Sequence, residues 1–146
     1  MDDIFDIETE VLGVLYGRDC IYIDTVTLND MGSLTFSGKI NGYLASKIQK
    51  EEWIPYRLEF KRVLAHFSCE LDTYENIEGT RYLDYSDFTV IKNSTKLLKL
   101  PIRGDFDRSE YKHFRVFTYD VVFDIFAVSY DFFADLENSK PMGQGS

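Results

Sequence analysis

Apolar and polar residues alternate with a period of two over most of this chain, and the apolar positions are filled by Val, Ile, Tyr, Phe and Thr. That period sends successive side chains to opposite faces of a pleated strand, and these residue types fit such a surface. Cys20 to Leu28 is an example: Cys20, Tyr22, Asp24 and Val26 share one face, and Ile21, Ile23 and Thr25 the other. Glu8 to Leu15 reads as a preceding strand, joined to it by a turn at Tyr16–Asp19 in which Gly17 can take positive φ. A second turn at Asn29–Gly32 leads into Ser33–Phe36, so the first part of the chain is expected to be an antiparallel meander.

Farther on, Gly38 and Gly42 argue for turns, and Ala45–Glu52 fits a short helix or a polar loop. Trp53–Phe60 and Val63–Leu71 read as two strands, or one bent strand, interrupted at Lys61–Arg62. Residues 72–87 are expected to form an extended surface loop. Ser86 is a candidate N-cap for a short helix near 87–98, with Lys96 and Lys99 close to its C-terminus and Pro101 ending it. Residues 111–137 are the most apolar stretch. A helix there would bring Asp120, Asp124, Asp131 and Asp135 toward one face, but the density of β-branched and aromatic residues favours a hairpin turning near Tyr119–Asp120. The expected fold is mainly β (a β-rich α+β class), an antiparallel meander or sandwich-like sheet with one short helix near 87–98. Residues 1–140 form one domain, and 141–146 are a frayed or added tail.

Composition excludes several function classes. Aromatics make up 16% of the chain, ample apolar surface for an ordered core. No apolar run approaches the length of about 18 residues that a membrane helix needs. The 25 acids outnumber the 16 Lys and Arg, giving −9, which argues against direct nucleic-acid binding. The opening MDDIFDIETE is acidic, the reverse of a signal peptide, so a cytoplasmic chain with free thiols at Cys20 and Cys69 is expected. His66-x-x-Cys69 has ligand-like spacing, but strand residues three apart point to opposite faces, so no metal or cofactor is expected. His66 and His113 lie among aromatics as packed core or edge residues. No phosphate-loop, zinc-protease, nucleophile-elbow or dinucleotide motif occurs, so the chain is not expected to be an enzyme. A Cys–His dyad assembled in space, or a divalent ion on Asp105 and Asp107 or on Asp120 and Asp124, stays open at this point.

The charge is segregated. Residues 1–10 hold five acids and no base, while 91–118 hold seven bases against three acids. Such a layout suits either plain solubility or an acidic face that steers toward a basic partner. Residues 72–87 fit the second reading best, because tyrosines ringed by charge are common at protein interfaces. The candidate partner-binding residues are therefore Asp72, Tyr74, Glu75, Glu78, Tyr82, Asp84, Tyr85 and Asp87.

Three stretches carry a family resemblance: YRLEFKRVLAHFSCELDTYEN at 56–76, SDFTVIKNSTKLLKL at 86–100 and YKHFRVFTYDVVFDIFAVSYDF at 111–132. In this order they resemble small immunity-like proteins of low-GC Gram-positive bacteria from polymorphic toxin systems. The resemblance covers about half the chain and transfers no residue role. It implies a stoichiometric inhibitor whose acidic, tyrosine-containing surface neutralises a basic toxin or nuclease. Two rival readings are a phage-type acidic mimic of nucleic acid that blocks a defence nuclease, and a β domain binding a small ligand.

Overall fold

The computed structural model describes residues 2–79 and 85–143. The alternating segments form antiparallel strands arranged in two sheets. The first sheet has the order β1 (Asp3–Asp6), β6 (Phe88–Lys92), β7 (Lys112–Phe117), β8 (Val121–Ala127), β5 (Ala65–Glu70). The second runs β2 (Ile21–Leu28), β3 (Leu34–Asn41), β4 (Glu52–Lys61), and the free side of β4 takes both β9 (Ser129–Ala134) and β10 (Lys140–Pro141). Two helices, α1 (Leu71–Glu78) and α2 (Thr95–Lys99), complete a β-rich α+β fold.

Two bent strands tie the sheets together. The chain passes from β4 to β5 at Lys61–Arg62, where Arg62 has φ of 53°. It passes back from β8 to β9 at Val128. The bends face each other, because Val128 N–H donates to Lys61 O at 3.1 Å and Leu64 N–H to Phe126 O at 2.7 Å. β4–β5 and β8–β9 therefore make one antiparallel ribbon shared by both sheets.

The core lies between the sheets. Phe36 and Phe60 enter from one, Phe88, Phe114 and Phe123 from the other, with Tyr130 packed edge-on to Phe88 and Phe114. Phe36 and Phe60 are fully buried, and burying each stabilises the fold by about 2–3 kcal/mol. The hairpin at 119–120 forms as the alternation predicts, with Phe123, Ile125 and Ala127 facing the core and Val122, Asp124 and Phe126 the outer side. The sheet change at Val128 breaks the phase, so Tyr130 points into the core rather than beside Asp124.

Several expectations are corrected. Phe88–Lys92 is a strand, so the helix expected near 87–98 shrinks to Thr95–Lys99. Phe88, Val90 and Ile91 gain more from completing a buried sheet than from a short helix, where tertiary packing outweighs local propensity. The cap is Ser94, whose Oγ accepts from Leu97 N–H, whereas Ser86 Oγ donates to Phe88 O. The loop expected at 72–87 begins as α1, capped by the Glu70 carboxylate on Asp72 and Thr73 N–H and ended by Gly79 at φ 71°. Glu8–Leu15 is no strand. Thr9 and Gly13 exchange backbone hydrogen bonds across a tight turn that drops Leu12 and Leu15 into the core. Gly38 lies inside β3 rather than in a turn.

Candidate functional site

The residues expected to bind a partner separate into four pairs. Asp72 is exposed on the first turn of α1, and Tyr85 is partly exposed. Glu75 is half-buried, and Glu78 is ion-paired with Lys96. Tyr74 and Asp87 are buried, at 4% and 1% exposure, and cannot serve as surface anchors. Tyr82 and Asp84 lie outside the described residues.

Tyr74 belongs to a buried charge network on the outer face of the first sheet. Asp124 Oδ1 accepts from His113 Nε2 at 2.6 Å and from Arg115 Nε at 2.9 Å. Its Oδ2 accepts from Tyr74 O–H at 3.3 Å, with Lys96 Nζ at 3.8 Å. Ser94 Oγ takes the Leu97 N–H, so its own proton goes to His113 Nδ1 at 2.7 Å, which leaves His113 Nε2 protonated toward Asp124. Burial alone would raise the Asp124 pKa, but the His113 hydrogen bond and the Arg115 charge outweigh it and hold the carboxyl at about 2. Burial also lowers the His113 pKa against the pull of Asp124, so the imidazole is neutral at pH 7. Ser94–His113–Asp124 has the connectivity of a nucleophilic triad. Here the serine oxygen is committed as a helix cap and His113 has no exposure, so the chain of bonds acts as a strut pinning α1 and α2 to the sheet.

Asp87 has a different environment. Neither carboxylate oxygen has a hydrogen-bond partner among the described residues, although the Gly17 backbone lies close enough to favour the charge slightly. Burial drives its pKa well above the usual carboxylate value. Burial likewise raises the neighbouring Cys20 thiol pKa, and Asp87 adds to the shift, so the neutral thiol is favoured over the thiolate. For Asp87 the folded pKa exceeds the unfolded one, so its contribution is full below pH ~4 and is lost as pH rises through the folded value. Asp87→Asn is therefore expected to raise the unfolding free energy at pH 7 by about 1–2 kcal/mol, the amide still lacking partners. Urea titrations at pH 4 and pH 8 check this. Equal stabilities of variant and wild type at pH 8 would refute it.

The other open constellations are dispersed. His66 is exposed on the edge strand β5, Asp107 caps a turn on Ser109, and Asp120 pairs with Arg18. Among the described residues no cluster of His, Cys, Asp or Glu is arranged to hold a metal ion.

A surface feature emerges only in three dimensions. Because Ile21, Ile40 and Ile54 face the core, Tyr22, Lys39 and Trp53 project outward from β2, β3 and β4. Tyr119, in the β7–β8 turn, is drawn to them by Tyr119 N–H donating to Ile21 O at 3.0 Å. Trp53 meets Tyr22 edge-on at 5.2 Å, and Tyr22 stacks on Tyr119 at 5.2 Å. Lys39 Nζ sits 4.6 Å above Trp53, and the Arg18 guanidinium 4.9 Å above Tyr119. The result is a five-residue strip, Lys39–Trp53–Tyr22–Tyr119–Arg18, crossing both sheets at one end of the domain. Asp19 and Asp72 act electrostatically on Tyr22 and Arg18, and Asp120 pairs with Arg18. Asp24 lines a 400 Å³ hollow beside Trp53, together with Lys39 and Lys140. Among the described residues Asp19, Asp24 and Asp72 have no cation within 4.0 Å. Of the residues expected from the sequence, only Asp72 belongs here. Trp53, Tyr22 and Tyr119 come from three distant segments, and the one local signal is the outward strand phase of Tyr22 and Trp53.

Fold and surface together define a class: an antiparallel two-sheet β domain presenting an acid-rimmed aromatic strip. No family model, curated protein or solved structure matches the chain.

Proposed function

We propose that this chain is an immunity-like inhibitor, a cytoplasmic protein-binding domain that neutralises a basic toxin or nuclease through the acid-rimmed strip. The observation that carries the reading is the strip itself. Trp, Tyr and Arg are the residue types that dominate binding hot spots, and stacking holds these side chains in place, so little rotamer entropy is lost on docking. The unpaired acids around it supply long-range attraction for Lys and Arg on a partner and repel nucleic acid. This relocates the binding face expected at 72–87 while keeping Asp72 as part of its rim.

The test is surface plasmon resonance against the product of the adjacent reading frame, paired with a growth-rescue assay on co-expression. Trp53→Ala and Tyr22→Ala should each raise Kd by about 30-fold or more, mainly through faster dissociation. Asp19→Lys with Asp72→Lys should slow association about tenfold at low salt and much less at high salt. Wild-type affinity in both aromatic variants would eliminate the strip as the interface.

A further inference from the structure

At the opposite end of β7 from Tyr119, a cleft of about 1130 Å³ opens between β6, β7, α2 and the 107–111 turn. We propose that this cleft binds a small anionic amphiphile, one with an apolar chain and a single carboxylate, sulfonate or phosphate head. The volume is just above the usual upper limit for small-molecule sites, roomy enough for a flexible chain. Its floor is apolar, formed by Ile7, Val90, Leu97, Phe114 and Tyr130. Leu98, 65% exposed, extends the apolar wall to the rim. An apolar hollow of this size in a chain otherwise rich in surface acids favours a ligand that removes it from water.

The charge at the mouth fixes the sign of the head group. Lys92, Arg108 and Lys112 line the cleft, and none has a carboxylate within 4.0 Å among the described residues. Lys92 rests over the Phe5 ring, Arg108 donates to Leu97 O, and Lys112 is exposed. The one acid in the wall, Asp107, is occupied by Ser109 N–H at 3.0 Å and Ser109 O–H at 2.7 Å. Asp3 lies across the ladder from Lys92, but its Oδ2 accepts from Asn93. In a chain of net charge −9, a site walled by three cations against one carboxylate is locally positive, which attracts anions and disfavours cations. Ser94 also lines the cleft, but its Oγ is held by Leu97 N–H and His113 Nδ1.

The full chain titrated with decanoate below its micelle concentration tests the proposal by calorimetry and by amide chemical shifts. Saturable binding with Kd on the order of 0.1 mM is expected. The shifts should be confined to Ile7, 90–98, 107–114 and 129–130. Decyltrimethylammonium, with the same chain and opposite head, should bind at least about tenfold more weakly. Lys92→Glu combined with Lys112→Glu, both at exposed positions, should weaken decanoate about tenfold while the amide spectrum shows a folded protein. Tyr22→Ala should bind decanoate as wild type does, which separates this site from the protein-binding strip. Equal binding of the ammonium, unchanged affinity in the double variant, shifts elsewhere or no binding would each overturn the proposal.

Discussion

Asp124→Ala is expected to lower the unfolding free energy by about 3–5 kcal/mol at pH 7, the largest effect of any single change considered. The reason is what the carboxylate leaves behind. His113 is fully buried and Arg115 is 6% exposed, and both donate to Asp124 Oδ1. Without the acceptor, a guanidinium and an imidazole N–H stay buried with no partner, a cost well above the net worth of the original bonds. Tyr74 O–H loses its acceptor too, which loosens α1. The same carboxyl makes an acid signature. Its folded pKa of about 2 lies below the ordinary 3.8, so its contribution is complete above pH ~4 and is lost as pH falls toward 2. That contribution is worth about 2 kcal/mol. Urea unfolding of wild type and Asp124→Ala at pH 7 and pH 2.5 should show the gap narrowing in acid. A variant as stable as wild type at pH 7 would mean the network is no strut.

Gly38→Ala should cost about 2–3 kcal/mol by overpacking and should disturb the strip as well. A Cβ on Gly38 would stand 2.0 Å from Tyr22 O and 3.0 Å from Asp24 N. Those atoms are backbone, so relief requires β2 to move away from β3. The contact is close because β2 carries an irregularity between Ile23 and Thr25, which presses its chain over Gly38. Tyr22 O also accepts from Tyr56 O–H at 3.1 Å, a bond that displacement would break. Since Tyr22 joins Trp53 to Tyr119, the substitution should reduce partner binding beyond what lost stability explains. Gly104→Ala, with open space at its Cβ, should stay within about 0.5 kcal/mol of wild type. Thermal unfolding of the two variants side by side makes the comparison, and equal melting temperatures would remove the steric argument.

How much of this was readable in the residues follows from the range of each interaction. Strand identity depends on alternation between near neighbours, so the β-rich class, the Asn29–Gly32 turn and the hairpin at 119–120 were all legible. Asn29 shows why: its Oδ1 accepts from Met31 N–H and Ser33 N–H, a turn closed within five residues. The helix α1 was also legible in principle, from Glu70 as cap and Gly79 as stop, but the acid and tyrosine content of 72–87 suggested an exposed loop instead. Phe88–Lys92 was not legible, because its state depends on β1 and β7 arriving on either side. Gly38 looks like a turn glycine unless one knows that a bulge on another strand crosses it.

The sequence by itself determined the β class, the order of most strands along the chain and the segregation of charge, since these rest on local pattern and composition. Only the tertiary structure decided which charged and aromatic residues face water. It buried Tyr74 and Asp87, joined His113, Arg115 and Asp124 into one network, and brought Tyr22, Trp53 and Tyr119 from three segments to one surface. Side-chain phase along a strand is set within a few residues. Which face of a sheet meets solvent is set by the second sheet and the helices laid upon it, whose residues lie up to a hundred positions away.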